Sequence, residues 1–361
     1  MRDGFSESTW PLAAVLVLLF AFPLIFDNAY LLSVVILANI YTVYVAAWDL
    51  LSGYTGQENF GFALFIGAGA YFVGFMTKFI GPVSPWWGIL LGGLTAAVIG
   101  LVLGIPCLRL KGPYLALATM AAATIADRLA IIFNKVTGGE DGIFGIEFLT
   151  LSPVNDYYAL LVFMVLCVGL MYLIGHSFIG LLLKAIRQDE SSAEASGVNT
   201  TCYKVAAFVA SAFFGGMAGA FNAHYLGYVG PDAVMASHIS LNIIIMAIVG
   251  GTGSIVNAAC GAFVLAIVGE YLKAFGEYHL LIYTSLLLLV LLLVGGLNNI
   301  DYSRVEMMVA DRNILEMALR FTLANRWRNP ILPTFLPMPI AVYLQLSPIR
   351  GHWTERILRP E

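Results

Sequence analysis

Residues 86–108 read WWGILLGGLTAAVIGLVLGIPCL, twenty-three positions without a charge, closed by Arg109-Leu110-Lys111. A helix needs about 20 apolar residues to cross the hydrocarbon of a bilayer, so this run is long enough by itself. Its two leading tryptophans suit the membrane–water interface, where amphipathic rings collect. The pattern repeats along the chain: apolar runs at 10–26, 29–48, 60–80, 113–133, 156–175, 204–223, 233–250, 255–274 and 280–297 join it, giving ten candidate spans. Composition agrees. Of 361 residues, 60% are hydrophobic and 11% charged, with a mean hydropathy of +0.86, against about a quarter charged in soluble domains. The chain reads as all-α, a polytopic helical bundle of about 8–10 transmembrane helices.

Orientation follows from Lys and Arg in short loops. Arg109 and Lys111 separate the fourth and fifth runs, and Lys184, Arg187 and Lys204 bracket the loop between the sixth and seventh. Both loops share one parity, so both are expected in the cytoplasm, with both termini. The loop at 134–155 carries Lys135 against Glu140, Asp141 and Glu147, as expected outside. No small-residue cleavage pattern follows Phe26, so the first run is read as a retained span. Cys107, Cys167, Cys202 and Cys260 lack CxxC or CxxH spacing, and neither a disulfide framework, a metal site nor a cofactor is expected. A net charge of -4 with no basic patch gives no reason to expect nucleic acid. No nucleophile–base pair and no GxxxxGK[ST] loop occurs, so the chain is not expected to be an enzyme or to hydrolyse ATP itself.

Two glycine-rich interruptions stand out, Ser52-Gly53-Tyr54-Thr55-Gly56-Gln57-Glu58-Asn59-Phe60-Gly61 and Val249-Gly250-Gly251-Thr252-Gly253-Ser254. Each precedes a run of small residues, which suggests an internal duplication. Broken helices near a pseudo-symmetric centre are where transporters put polar backbone. Gly56, Gln57, Glu58, Asn59, Gly250, Gly251, Gly253 and Ser254 are therefore the candidate pathway or break residues. The second interruption reads either as a turn between spans or as a break within one. Glu58 is read as opening a span, where a helix dipole favours it. Asp127 and Arg128 point about 100° apart on a helix, and each is expected to pair with another span. Glu270 and Lys273 are one turn apart and should pair locally. His224 and His238 flank a short loop without a third ligand. Further glycines, among them Gly67, Gly69, Gly92, Gly93, Gly215, Gly216 and Gly219, form smooth faces for close helix packing.

The informative soluble segment is 176–203. Asp189 and Glu190 suit the start of a short helix, and Gly197 stands where a left-handed cap would end it. Lys184 and Arg187 are read as holding the preceding segment at anionic headgroups. Ala185-Ile186-Arg187 through Glu190, Ala193-Glu194-Ala195 and Gly197, then Tyr203-Lys204 and residues 207–220, resemble the permease subunits of branched-chain amino-acid ABC importers. So do, in order, Ser52-Gly53 through Gly56-Gln57, Arg109-Leu110-Lys111-Gly112 with Tyr114 to Thr119, Thr137-Gly138-Gly139 with Asp141-Gly142-Ile143, and residues 249–254. The resemblance covers roughly residues 30–297. It departs at Glu58 and Asn59, at Ala123 to Arg128, and at Val294 to Asn299.

The resemblance implies a permease in a bacterial or archaeal inner membrane. Such a subunit pairs with a second permease subunit, most simply as a heterodimer, and works with two cytoplasmic ATPase subunits and a periplasmic or extracellular binding protein. The loop would carry the coupling helix, with Arg187, Asp189, Glu190, Ala193, Glu194 and Gly197 contacting the ATPase. Branched-chain or other small amino acids are the implied cargo, with urea or short amides as alternatives in related systems. A rival from another class is an ion- or proton-coupled secondary transporter using Glu58. Residues 1–300 are then the permease domain, and 301–361 a cytoplasmic tail, partly an amphipathic helix with Val305, Met308, Val309, Leu315 and Leu319 at near-helical spacing.

Overall fold

A computed structural model describes residues 9–25, 28–81, 83–110, 112–150 and 152–273, together with positions 282 and 285. The expected run at 280–297 and the tail at 301–361 lie outside the described residues. Within them the chain forms α1 (Thr9–Ile25), α2 (Ala29–Thr55), α3 (Ala63–Phe79), α4 (Pro85–Cys107), α5 (Pro113–Ile132), α6 (Asn134–Thr137), β1 (Ile143–Phe144) and α7 (Pro153–His176). There follow α8 (Phe178–Gln188), α9 (Glu190–Ala195), α10 (Thr200–Leu226), β2 (Tyr228–Val229), α11 (Pro231–Val234), α12 (Ser237–Gly250) and α13 (Ile255–Leu272). Seven of these helical stretches are long and apolar enough to cross a membrane, and α3 is a shorter apolar helix. The chain is an all-α, multi-pass membrane protein.

The bundle is built around α2, in which every residue from Thr42 to Thr55 is buried. It packs against α7, α10, α12 and α13. A second layer joins α3, α4 and α10 at backbone contact distance. A methyl group at Gly219 would overlap the Ile66 carbonyl, and one at Gly69 the carbonyl of Gly216. The glycine faces thus let helices touch, as lipid-embedded helices that lack a hydrophobic driving force between them require. Outward, Trp86, Trp87, Leu94, Val98, Leu101 and Val102 of α4 and Leu166, Leu170 and Leu173 of α7 are exposed. An apolar exterior of that extent suits lipid rather than water.

Two sequence boundaries are corrected. Helix α2 runs past residue 48 to Thr55, through Asp49, Ser52 and Gly53, and ends at Gly56 in the left-handed conformation (φ 72°) with its N–H on the Ser52 carbonyl. The first interruption is therefore the non-helical segment 56–62. Glu58 does not open a helix: it is exposed and precedes the start of α3 at Ala63. The second interruption resolves as a turn, residues 251–254, between α12 and α13; the two helices approach closely where Gly250 meets Ala258 and Gly261. At the opposite end of the bundle, β1 and β2 pair antiparallel, Ile143 with Val229 and Phe144 with Tyr228, a short ladder that the apolar pattern did not announce.

Candidate functional site

Helix α3 is 17 residues and α12 is 14, about 25 and 21 Å at the helical rise, short of the roughly 30 Å of hydrocarbon. Helix α11 extends the apolar stretch that ends in α12, whereas α3 is preceded by non-helical backbone, and in a dry interior each of its polar groups needs a partner. Segment 56–62 supplies them from side chains. Asn59 N–H donates to Ser52 Oγ (3.3 Å), Phe60 N–H to Thr119 Oγ1 (3.1 Å), and Gly61 N–H to the Asn59 Oδ1 (2.9 Å). The Trp48 indole donates to the Asn59 carbonyl (2.7 Å), and Ser240 Oγ accepts from Ala63 N–H (2.8 Å) at the start of α3. Asn59 is buried and acts as a structural staple of the break, while Glu58 faces outward and Gln57 is half-buried.

The second interruption meets the end of α2. Gly253, with φ of 89°, donates its N–H to Oδ1 of Asp49 at 2.8 Å. Asp49 is fully buried, and its carboxylate lies over Gly53, where any side chain would displace it. A third element closes the cluster: Arg187, at the end of α8, donates from Nη1 to the Gly53 carbonyl. Its stem crosses Gly56, whose side-chain direction ends 3.2 Å from Arg187 Cγ, and its tip lies 2.6 Å from the corresponding point at Gly253. One turn back, Lys184 Nζ stacks over the Tyr54 ring at 4.7 Å. The expectation that Lys184 and Arg187 anchor to lipid headgroups is corrected: both are engaged with the end of α2. Gly250, Gly251 and Ser254 frame the same turn, with the Gly251 N–H on the Ala247 carbonyl and the Ala258 N–H on the Ser254 carbonyl, each at 2.9 Å.

Beyond Arg187 the chain enters α9. Asp189 caps it, accepting from the N–H groups of Ser191 (2.9 Å) and Ser192 (3.2 Å) and from the Ser192 hydroxyl (2.6 Å). Those bonds hold its carboxyl below the ordinary carboxylate range. Gly197 ends the turn at φ of 86°, and Val198 N–H returns to the Ala193 carbonyl. The cap and stop thus stand where the residue types indicated. The other two acids bond to α10, Glu190 half-buried and Glu194 still exposed. Glu190 pairs with the buried Lys204 at 2.6 Å, and Glu194 accepts from the Thr200 hydroxyl at 2.6 Å. Ala193 is buried beneath them. The exposed residues of α9 and its caps are Asp189, Ser191, Ser192, Glu194, Ala195 and Ser196.

The remaining charges stand apart. Asp127 and Arg128 pair with each other at 3.7 Å rather than with other spans, because Arg128 points out of the bundle, 70% exposed. Glu270 and Lys273 form the local pair expected. His224 is buried, with Nδ1 donating to the Glu147 carbonyl at 2.7 Å. The residue that sequence reading missed is Asp49. It fell one position beyond the run read as 29–48, and an acid inside the long apolar sequence of α2 was the available signal.

Comparison with known proteins places these features in a family. Residues 30–294 match the family described as branched-chain amino acid transport system / permease component. The chain is 27% identical over 310 residues to the high-affinity branched-chain amino acid transport system permease protein LivM of Escherichia coli strain K12, covering 78% of this chain and 72% of that one. It is similar to the same degree, over the same shares, to the LivM protein of Salmonella typhimurium strain LT2. No solved structure matches.

Proposed function

This chain belongs to the permease-component family of branched-chain amino-acid transport systems, and from that premise we propose that it forms one half of the membrane pore of an ATP-driven importer in a bacterial inner membrane. Its cargo is a branched-chain amino acid, the substrate named for the LivM proteins it resembles. A second permease subunit completes the pore. Separate ATPase subunits seat α9, and a binding protein delivers cargo on the opposite side. The single observation that carries this reading is the convergence of α8, the C-terminal end of α2 and the turn between α12 and α13 on one point, Asp49–Gly53–Arg187–Gly253. Movement imposed on α9 from outside the bundle reaches, through Arg187, the end of α2 and the turn that joins α12 to α13. A secondary transporter driven through Glu58 has no need of that connection, and Glu58 itself is exposed on the break.

The test is uptake into vesicles from cells expressing the chain with a second permease, ATPase and binding-protein subunits. Leucine, isoleucine and valine are compared with urea and short amides. ATP-dependent, vanadate-sensitive accumulation of the branched-chain set is expected. Uptake by this chain alone, collapsed by an uncoupler while ATP remains, overturns the assignment.

A further inference from the structure

Asp49 is fully buried, yet only one of its oxygens is used. Oδ1 accepts from Gly253, whereas Oδ2 has no hydrogen-bond partner among the described residues. A buried charged oxygen left unpaired is costly, so its retention calls for a reason. The positive groups acting on it are Arg187 and Lys184. Lys184 is occupied over Tyr54. Arg187 spends Nη1 on a neutral carbonyl, that of Gly53, while both its guanidinium and the Asp49 carboxylate lie against Gly253. A guanidinium that meets a carboxylate gains the attraction of two full charges in addition to the hydrogen bond, which a neutral carbonyl does not offer. The observed arrangement is therefore not the one that charge alone favours. Gly53 and Gly253, having no side chains, leave the way between the two acceptors open.

Resting on the importer reading above, we infer that Asp49 is a positioning residue for coupling: Arg187 alternates between the Gly53 carbonyl, which it holds here, and Oδ2 of Asp49, which it takes when the ATPase moves α8 and α9. Leaving Gly53 frees the end of α2. Reaching Oδ2 draws the carboxylate away from Gly253 and loosens the turn between α12 and α13. Two acceptors for one guanidinium make the element bistable, as a transmitted switch requires.

The experiment uses the whole complex, reconstituted with its ATPase, second permease and binding protein. It measures leucine transported per ATP hydrolysed for Asp49→Asn, Arg187→Gln, Arg187→Lys and the Asp49→Asn/Arg187→Gln double variant. Asparagine keeps an oxygen for the Gly253 N–H and removes the charge, so the bundle retains its contact. The ratio is expected to fall about tenfold or more in Asp49→Asn, the factor that a charge-assisted bond supports. A similar fall is expected in Arg187→Gln, with no further fall in the double variant because the two act as one unit. Arg187→Lys, on an exposed stem and still charged, should recover part of the ratio. If the wild-type complex transports leucine with ATP but these ratios are unchanged, or the two losses simply add, or Lys is no better than Gln, the inference is overturned and the importer reading stands. If the wild-type complex shows no ATP-driven uptake of leucine, the importer reading fails and the inference falls with it.

Discussion

Replacing Gly53 by alanine puts a methyl group 2.6 Å from the Gly253 nitrogen and closer still to the Asp49 carboxylate. The nitrogen is backbone and cannot swing aside, so either Asp49 turns away or the turn at 251–254 backs off α2. Both outcomes break the Asp49–Gly253 bond, a hydrogen bond to a charged group worth about 1.5–3 kcal/mol. Alanine returns up to about 1 kcal/mol through its better helix propensity. The expected net loss is about 1–2 kcal/mol, a five- to thirtyfold shift in the population with the end of α2 joined to the turn at 251–254. Gly169→Ala is the control: that glycine lies on α7, exposed, with nothing within 4 Å of an added methyl. Thermal unfolding of the purified complex and leucine uptake are measured for both. Gly53→Ala should lower the unfolding midpoint and the uptake, while Gly169→Ala leaves uptake intact and holds or raises the midpoint. If the two variants behave alike, the contact between the end of α2 and that turn is not made.

The end of α9 offers a second test: Gly197→Val, at φ of 86° with open space around it, should cost about 1–2 kcal/mol of backbone strain and reduce uptake at unchanged membrane abundance, whereas Gly197→Asn retains most of it. Glu190→Ala should damage the complex more than Lys204→Met, because the first leaves a buried ammonium without its partner and the second removes the buried charge; the yield of intact complex in detergent ranks them. Glu194→Lys should release α9 from Thr200 and lower uptake and substrate-stimulated ATP hydrolysis together, while Glu194→Gln, which keeps an acceptor oxygen, preserves both. Since the folded carboxyl of Asp189 titrates lower than the free one, its cap is fully present above the ordinary carboxylate pKa and is lost as pH falls through the lowered value. Amide exchange at Ser191 and Ser192 should therefore stay protected from neutral pH into mild acid and open only below it, and Asp189→Asn should remove that pH dependence.

What sequence reading supplied, and what it missed, divides along the distance between partners. Helix positions followed from local apolar runs, so α4, α5 and α13 fall within a few residues of expectation, and the cap at Asp189 and stop at Gly197 are local chemistry read as such. The last two turns of α2 were lost because Asp49, Ser52 and Gly53 resemble an ending. They stay helical in a structure where Asp49 finds its partner 204 residues away. The partner of Glu190 was not legible for the same reason: it is Lys204, 14 residues on and buried in a different helix. Arg187 was selected as a coupling residue from the motif, but its attachment to Gly53 lies 134 residues back and leaves no local trace.

The separation between Asp49 and Gly253 also sets a problem for the ribosome. At roughly 5–20 residues per second of synthesis, the 204 residues that divide them take about 10–40 s to appear. Throughout that interval α2 has already emerged with an acid destined for a dry interior, and the amide that will satisfy it does not yet exist. The nascent helix must wait beside water, lipid headgroups or the insertion machinery until most of the chain has been made. Substitutions at this pair therefore bear on biogenesis as well as on the finished transporter, and pulse-labelled membrane yield belongs beside uptake whenever they are compared.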